Sequence, residues 1–276
     1  MQVHSIIANT ISEEILRSGH LSIRFMADGF SLLLEDRSFN PVVLNRFTEE
    51  TARTMKSHVQ ECKDWLQRHT LLEKFSGEVT IVNDFIPSTL VPDPLFNEKS
   101  DFMYLEPVTQ LRAGEKVMHI KVKNRPFTIV YAVQNELGDL IRDFNAHVRV
   151  KPPIEILLSV ADQVNASDHQ RGFAIAEVQQ GFLGILVIRE DQLVLLNNIR
   201  INSNNELVYH ILNTLQQVRF DRRSRPLFLA GASIDEEMSD LTKYIRHIAQ
   251  LPYHINDIEK SSIPDHILLA EASRCE

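Results

Sequence analysis

The sequence predicts a two-domain α/β protein in which one plan, βββαβαβ, is used twice. Three observations carry that expectation. The first is a repeat: shifting the chain by 152 positions lays Leu21 to Phe47 on Phe173 to Ile199 without a gap. Eight pairs are identical, among them Gly29/Gly181, Phe30/Phe182, Leu34/Leu186, Arg37/Arg189 and Asn45/Asn197. The second is length, since 276 residues are long for one core and comfortable for two. The third is pattern, because in both halves three strand-like runs are followed by helix signals alternating with further strands. A period of this size is too long for a solenoid and reads as domain duplication. We place the domains at 1–165 and 166–276, divided in the polar stretch Asn165 to Arg171, with an insertion near 85–115.

In the first half, Leu21–Ala27 and Phe30–Glu35 are strands on either side of Asp28-Gly29, a two-residue hairpin signal of type I′. After the turn Asp36 to Pro41, Val42–Phe47 completes the meander; the polar leader before Leu21 carries no strand assignment. Thr48-Glu49-Glu50 supplies a cap and acidic first-turn residues for a helix to about Arg68. Its positions Ala52, Met55, Val59, Cys62 and Leu66 recur every three or four residues and form a core face that includes Trp65. Glu78–Val82 is the fourth strand. Prolines 87, 92 and 94 exclude a regular helix from Phe85–Leu95, which reads as a loop or insertion. Val117–Val122 and Pro126–Val133 form a hairpin, followed by a helix over Glu136–Phe144, a strand at His147–Val150 and a helix from Pro152-Pro153 to Val164.

In the second half, the meander is Phe173–Gln179, Phe182–Ile188 and Gln192–Ile201. Ser203 and Glu206 form a capping box for a helix over Leu207–Val218. Pro226–Ala230 is a strand ending at Gly231, and Ser233 to Glu236 cap a helix to about Ala249. Leu251–Ile255 and Ile267–Ala270 are read as a final strand and a closing segment.

Composition narrows the function classes. A net charge of −8 disfavours non-specific attraction to nucleic acid or anionic membrane. The one dense basic run, Arg219, Arg222, Arg223 and Arg225, reads as a solvated loop. Two distant cysteines, Cys62 and Cys275, suit a reducing compartment. The N-terminus lacks a secretory pattern, and no apolar run reaches the ~20 residues of a membrane helix, so the expected location is the cytoplasm. There is no P-loop, GxSxG elbow, HExxH pair or zinc spacing of cysteines.

A three-strand meander followed by alternating helix and strand, present twice, resembles the ribonuclease H-like domains that pair in actin-like ATPases. LSIRFMADGFSLLLED, FIPSTLVPDPLF and LFLAGAS with KYIRHI are more closely similar to an uncharacterised bacterial family assigned that fold. The resemblance spans nearly the whole chain. It implies nucleotide held between two domains, with the first hairpin turns gripping phosphates and a strand–glycine–helix element carrying the adenosine contact. Residue by residue, those positions are Asp28, Gly29 and Ser31 in the first turn, Gly181 in the second, and Gly231, Ala232 and Ser233 in the third element. The resemblance also brings a genomic context, genes often beside one for a ribosomal RNA methyltransferase, and so implies a link to translation or ribosome maturation.

Phosphoryl transfer needs backbone N–H nests, Mg²⁺ held by acids or their waters, and usually a basic group. The first turn keeps an acid, a glycine and a hydroxyl, but no lysine follows. In the second, Gln179 to Gly184 supply none of these except glycine, and Phe30 and Phe182 stand where the superfamily places small residues. The simpler reading of Asp28-Gly29 is a tight hairpin without ligand, and Ser233 reads as a helix cap. Asp28, Asp36 and Asp84 could form a nuclease-type carboxylate cluster, but the first strand lacks the acid that chemistry requires. The expectation is therefore a non-catalytic actin-like scaffold with degenerate phosphate loops, no cofactor, no metal and an unknown protein partner. Contact surfaces fall on the insertion, through Leu90, Val91, Leu95, Phe96, Phe102 and Tyr104. The alternative is a protein that binds ATP with Mg in the interdomain cleft.

Overall fold

The two halves are built on hairpins whose strands carry almost no exposed residue, and the rest of each sheet grows from them. The computed structural model describes residues 2–49, 54–167, 172–231, 240–252 and 263–275. The first half contains β1 (Gln2–Ala8), the short helix α1 (Glu13–Ser18), then β2 (His20–Met26), β3 (Gly29–Glu35) and β4 (Pro41–Thr48). Helices α2 (Met55–Arg68) and α3 (Leu71–Lys74) lead to β5 (Glu78–Asn83). Next come β6 (Ser88–Pro92), 3₁₀ turns at Asp93–Leu95 and Glu98–Tyr104, and β7 (Lys116–Lys121) with β8 (Phe127–Val133). Helix α4 (Glu136–Asp143), β9 (His147–Lys151) and α5 (Pro153–Ser167) follow. The second half has β10 (Gly172–Gln179), β11 (Phe182–Arg189), β12 (Gln192–Arg200), α6 (Asn204–Gln217), β13 (Leu227–Gly231), β14 (Ile248–Gln250) and α7 (Ile263–Ala272).

The chain divides into two compact units, residues 1–155 with 272–276, and residues 156–271. In the first unit the main sheet runs β1-β4-β3-β2-β5-β9; in the second the order is β12-β11-β10-β13-β14. Without β1 the two orders coincide. In each, an antiparallel meander continues through two parallel crossovers. Parallel crossovers need helices to cover the sheet, and α2 does so with Val59, Cys62, Trp65 and Leu66 on its buried face. In the second unit α6 contributes Leu207, Ile211 and Leu215 to a core shared with β10, β11 and β13.

Several expectations change on folding. The leader is not structureless: Gln2–Ala8 pairs antiparallel with β4, although nearly every residue in it is exposed. Its stability comes from backbone pairing, which leaves no hydrophobic alternation to read. Thr48 is the last residue of β4, paired with Gly29, and the cap of α2 is Thr54, whose side chain accepts from the Ser57 N–H. Glu50 and Ala52 lie outside the described residues. Phe85–Leu95 is partly regular, because Ser88–Pro92 pairs with β8 as an edge strand, where proline costs no ladder bond. The insertion shares a small core with β8, Val91 and Leu105 against Val130 and Ala132, with Phe96 and Tyr104 packed on it. Ile267–Ala270 lies within helix α7, and Ala249 lies in β14, not in a helix. The Ser203 cap holds: its hydroxyl accepts from the Glu206 N–H, while the Glu206 carboxylate accepts from the Asn202 N–H.

The two hairpin turns are also not equivalent. In the first, Met26 pairs with Gly29, so the turn residues are Ala27 and Asp28; in the second, Gln179 pairs with Phe182 and the turn is Gln180-Gly181. The turn thus falls one residue later in the second repeat. Neither Ala27 nor Asp28 has positive φ, which rules out the expected type I′ turn. Gly29 opens β3 at φ +151, where an added Cβ would lie 1.9 Å from the Phe47 carbonyl oxygen. Glycine is required there by close backbone approach rather than by the turn.

Candidate functional site

The positions expected to grip phosphate in the first unit lie on one row of the sheet. Arg24 of β2 pairs with Ser31 of β3, and Ser31 pairs with Arg46 of β4. Residues directly opposite in neighbouring strands project from the same face, so two arginines flank the Ser31 hydroxyl. A charged residue in a strand that is otherwise buried needs a partner, and each arginine has an aspartate. Arg24 donates from Nε to Asp84 Oδ1 at 2.9 Å and from Nη2 to Oδ2 at 3.1 Å; both side chains are almost wholly buried. Arg46 Nη2 donates to both oxygens of Asp28, at 2.8 and 2.7 Å, and its Nη1 reaches the Ser31 hydroxyl at 3.4 Å. Among the described residues the row thus holds two arginine–aspartate pairs, and the Ser31 hydroxyl lies against the guanidinium of the second.

Among the predicted residues, the structure brings Asp28 and Ser31 together through Arg46, and Gly29 lies between them as a steric requirement. Asp36 is elsewhere, at the opposite end of β3, roughly 20 Å along a seven-residue strand. It accepts from the backbone of Ser38 and Asn40 and from the Asn40 side chain. Burial pushes its carboxyl up, but these hydrogen bonds outweigh that and hold it below the usual range. The three aspartates do not form a metal cluster, and no group of three or more His, Cys, Asp or Glu residues able to hold a metal ion occurs among the described residues.

In the second unit, Gly181 takes φ +85 as the second turn residue. The turn has no acid, but the strand before it does, and that residue was missed in the sequence. Glu177 is buried on β10, and Gln179 donates from Nε2 to its Oε1 at 3.1 Å. Opposite Glu177 stands Gly184, whose lack of a side chain makes room beside the carboxylate. Gly231 ends β13 at φ +104, where a Cβ would lie 1.7 Å from the Val178 carbonyl oxygen. Ala232 and Ser233 lie outside the described residues. Phe30 and Phe182 are both core residues; Phe30 stacks on Phe47 with centroids 4.3 Å apart.

Arg46 and Arg24 were also missed as members of the site. Their signal was available, since each interrupts a run of otherwise buried residues, but the partner acids are distant in sequence.

The repeated 3-2-1-4-5 order of strands, counted from the first strand of each meander, is the plan of the actin-like ATPase fold, and solved structures agree. The chain is similar to a Bacteroides thetaiotaomicron VPI-5482 protein with an actin-like ATPase fold and unknown function, at 21% identity and TM-score 0.74, covering 95% of this chain and 99% of that one. It is also similar to the PilM-PilN type IV pilus biogenesis complex, at 11% identity and TM-score 0.62, covering 94% and 98%. Residues 8–248 match the family described as "Protein of unknown function (DUF3822)", and the chain belongs to that family. No curated protein matches the sequence. No helix among the described residues is long and apolar enough to cross a membrane.

Proposed function

We propose that this chain is a non-catalytic actin-like scaffold whose phosphate loops have become structural. The observation that carries this reading is the Arg46–Asp28 bridge beside the Ser31 hydroxyl, on the same row as the buried Arg24–Asp84 pair. An ATPase turn offers its acid to Mg²⁺ through water and its donors to phosphate. Here the Asp28 carboxylate accepts from Arg46, and the Ser31 hydroxyl lies against the same guanidinium. Releasing Asp28 would leave the partly buried Arg46 charge unpaired, so the bridge opposes capture of that carboxylate by a metal. The turn Gln180-Gly181 adds neither acid nor hydroxyl.

A scaffold needs a contact surface. Leu95, Phe102, Met103 and Val108 are exposed on the insertion, while Val91, Phe96 and Tyr104 hold its core. That division supports the insertion as the surface for a protein partner. A partner in translation or ribosome maturation, which the family resemblance suggests, is part of the proposal; co-sedimentation with ribosomal particles is the expected result.

The test of the scaffold reading is thermal unfolding with and without millimolar Mg-ATP, followed by the fluorescence of Trp65. No shift is expected. A saturable rise in melting temperature overturns the reading in favour of nucleotide binding, since ligand at about 100 times its Kd stabilises by about 2.7 kcal/mol.

A further inference from the structure

A cavity of about 680 Å³ lies within the first unit, where β7, β8, α4 and β9 come together. It is remote in sequence from the arginine–aspartate row, and its size is in the range of small-molecule sites. The body of its lining is apolar, from Met118, Ile120, Val133, Ile141 and Val150 with the Tyr131 ring. Tyr131 is fixed by donating its hydroxyl to the Val150 carbonyl at 3.0 Å. The charged part of the lining has four basic side chains, Lys116, Arg142, Arg149 and Lys151, and one acid, Glu155; Arg142 and Arg149 also pair outside the cavity, with Asp139 and Glu78.

Glu155 is what distinguishes this cavity from a packing defect. Its Oε1 is 3.9 Å from Lys151 Nζ, which itself donates to the carbonyls of Ala272 and Cys275. Its Oε2 is buried and has no hydrogen-bond partner among the described residues. A buried carboxylate oxygen without a donor is costly, and a polar group is normally left so only where something outside the chain completes it.

We propose that this cavity binds an amphipathic organic acid: an apolar body in the aliphatic part of the lining, an anionic head among the basic residues, and a hydroxyl or N–H donating to Glu155 Oε2. A medium-chain 3-hydroxy acid has all three features, as does the fluorescent probe anilinonaphthalene sulfonate. Neither depends on the nucleotide reading above, because no residue of the Arg24–Ser31–Arg46 row lines the cavity.

The experiment titrates the full chain at pH 8.5, where Glu155 is ionised, with anilinonaphthalene sulfonate and displaces the probe with 3-hydroxydecanoate, decanoate and decanol. One saturable site is expected, with the hydroxy acid binding about tenfold better than decanoate, the worth of one hydrogen bond to a charged group. Ile120→Trp, which fills the cavity from its partly exposed wall, should abolish binding; Lys116→Glu should weaken both acids and leave decanol unchanged. Glu155→Leu should erase the preference for the hydroxyl, and circular dichroism establishes that each variant is folded. Absence of saturable binding, binding unaffected by Ile120→Trp, or equal affinity for both acids overturns the proposal. Displacement by extended peptides and by none of the acids also overturns it, in favour of a strand-docking groove along β9.

Discussion

Removing Arg274 should destabilise the first unit by about 3 kcal/mol at pH 7.5, and the loss should shrink as the pH falls. The side chain of Glu35 at the end of β3 is completely inaccessible, yet it carries a carboxylate. It accepts from Ser273 Oγ at 2.8 Å and from Arg274 Nη2 at 2.6 Å. Burial raises its pKa, and Arg274 and Ser273 offset part of that rise. Removing one partner of a buried pair costs about 3–5 kcal/mol, because the other charge is left without compensation. Arg274 retains 24% of its side-chain exposure, so solvent already screens part of the attraction and the lower end of that range applies. Its bond to the Phe39 carbonyl and its position 4.9 Å over the Phe39 ring are lost as well, and they overlap with the same term.

The pH dependence has a definite sign. A carboxyl whose pKa is raised on folding binds its proton more tightly in the folded state, so stability falls as pH rises from the unfolded towards the folded value. Without Arg274 that rise is larger, so Arg274→Ala should cost most at pH 7.5 and less near pH 5. Trp65, the chain's single tryptophan, lies buried on α2 in the same unit and reports its unfolding in urea. Glu35→Gln with Arg274→Ala should recover most of the loss. A loss below about 1 kcal/mol at pH 7.5, or one that is equal at pH 5 and pH 7.5, would refute the reasoning.

Three further outcomes are expected. Burial pushes Glu155 up to about 7 despite Lys151 and Arg149, so its carboxylate costs stability progressively from about pH 4.5 and fully above pH 7, by roughly 3 kcal/mol at about 1.4 kcal/mol per pH unit. Glu155→Gln should therefore stabilise the chain at pH 8 by part of that amount, and change little at pH 4.5, as read by urea midpoints. Asp84→Ala leaves the Arg24 guanidinium buried without its bidentate partner and should cost about 3–5 kcal/mol, whereas Asp28→Ala, at a pair with some solvent access, should cost about 1–2 kcal/mol. Gly29→Ala places a Cβ 1.9 Å from the Phe47 carbonyl oxygen and should yield little folded protein, measured by soluble expression and Trp65 emission.

The sequence made the frame legible because the frame rests on local signals. Buried strands read as apolar runs, α2 and α6 read as helical periods, and the repeat showed that one plan served twice. What it hid was pairing across distance. Arg24 and Asp84 are separated by 60 positions, and Glu35 and Arg274 by 239, so no window of sequence contains both partners. Exposed β1 and the short proline-ended β6 were missed for a related reason, since backbone pairing holds them and leaves no side-chain pattern. The repeat itself misled at the turn. Gly29 and Gly181 coincide in the gap-free alignment, yet one opens a strand against a neighbouring carbonyl and the other completes a turn. The displacement makes Asp28 the second turn residue where its counterpart Gln180 is the first. It is this aspartate that Arg46 holds, whereas the corresponding positions of the second repeat, Gln180 and Asn198, could form no such bridge. Duplication has therefore kept the hydrogen-bonded frame in both halves, while the charged row was either added to the first half or lost from the second.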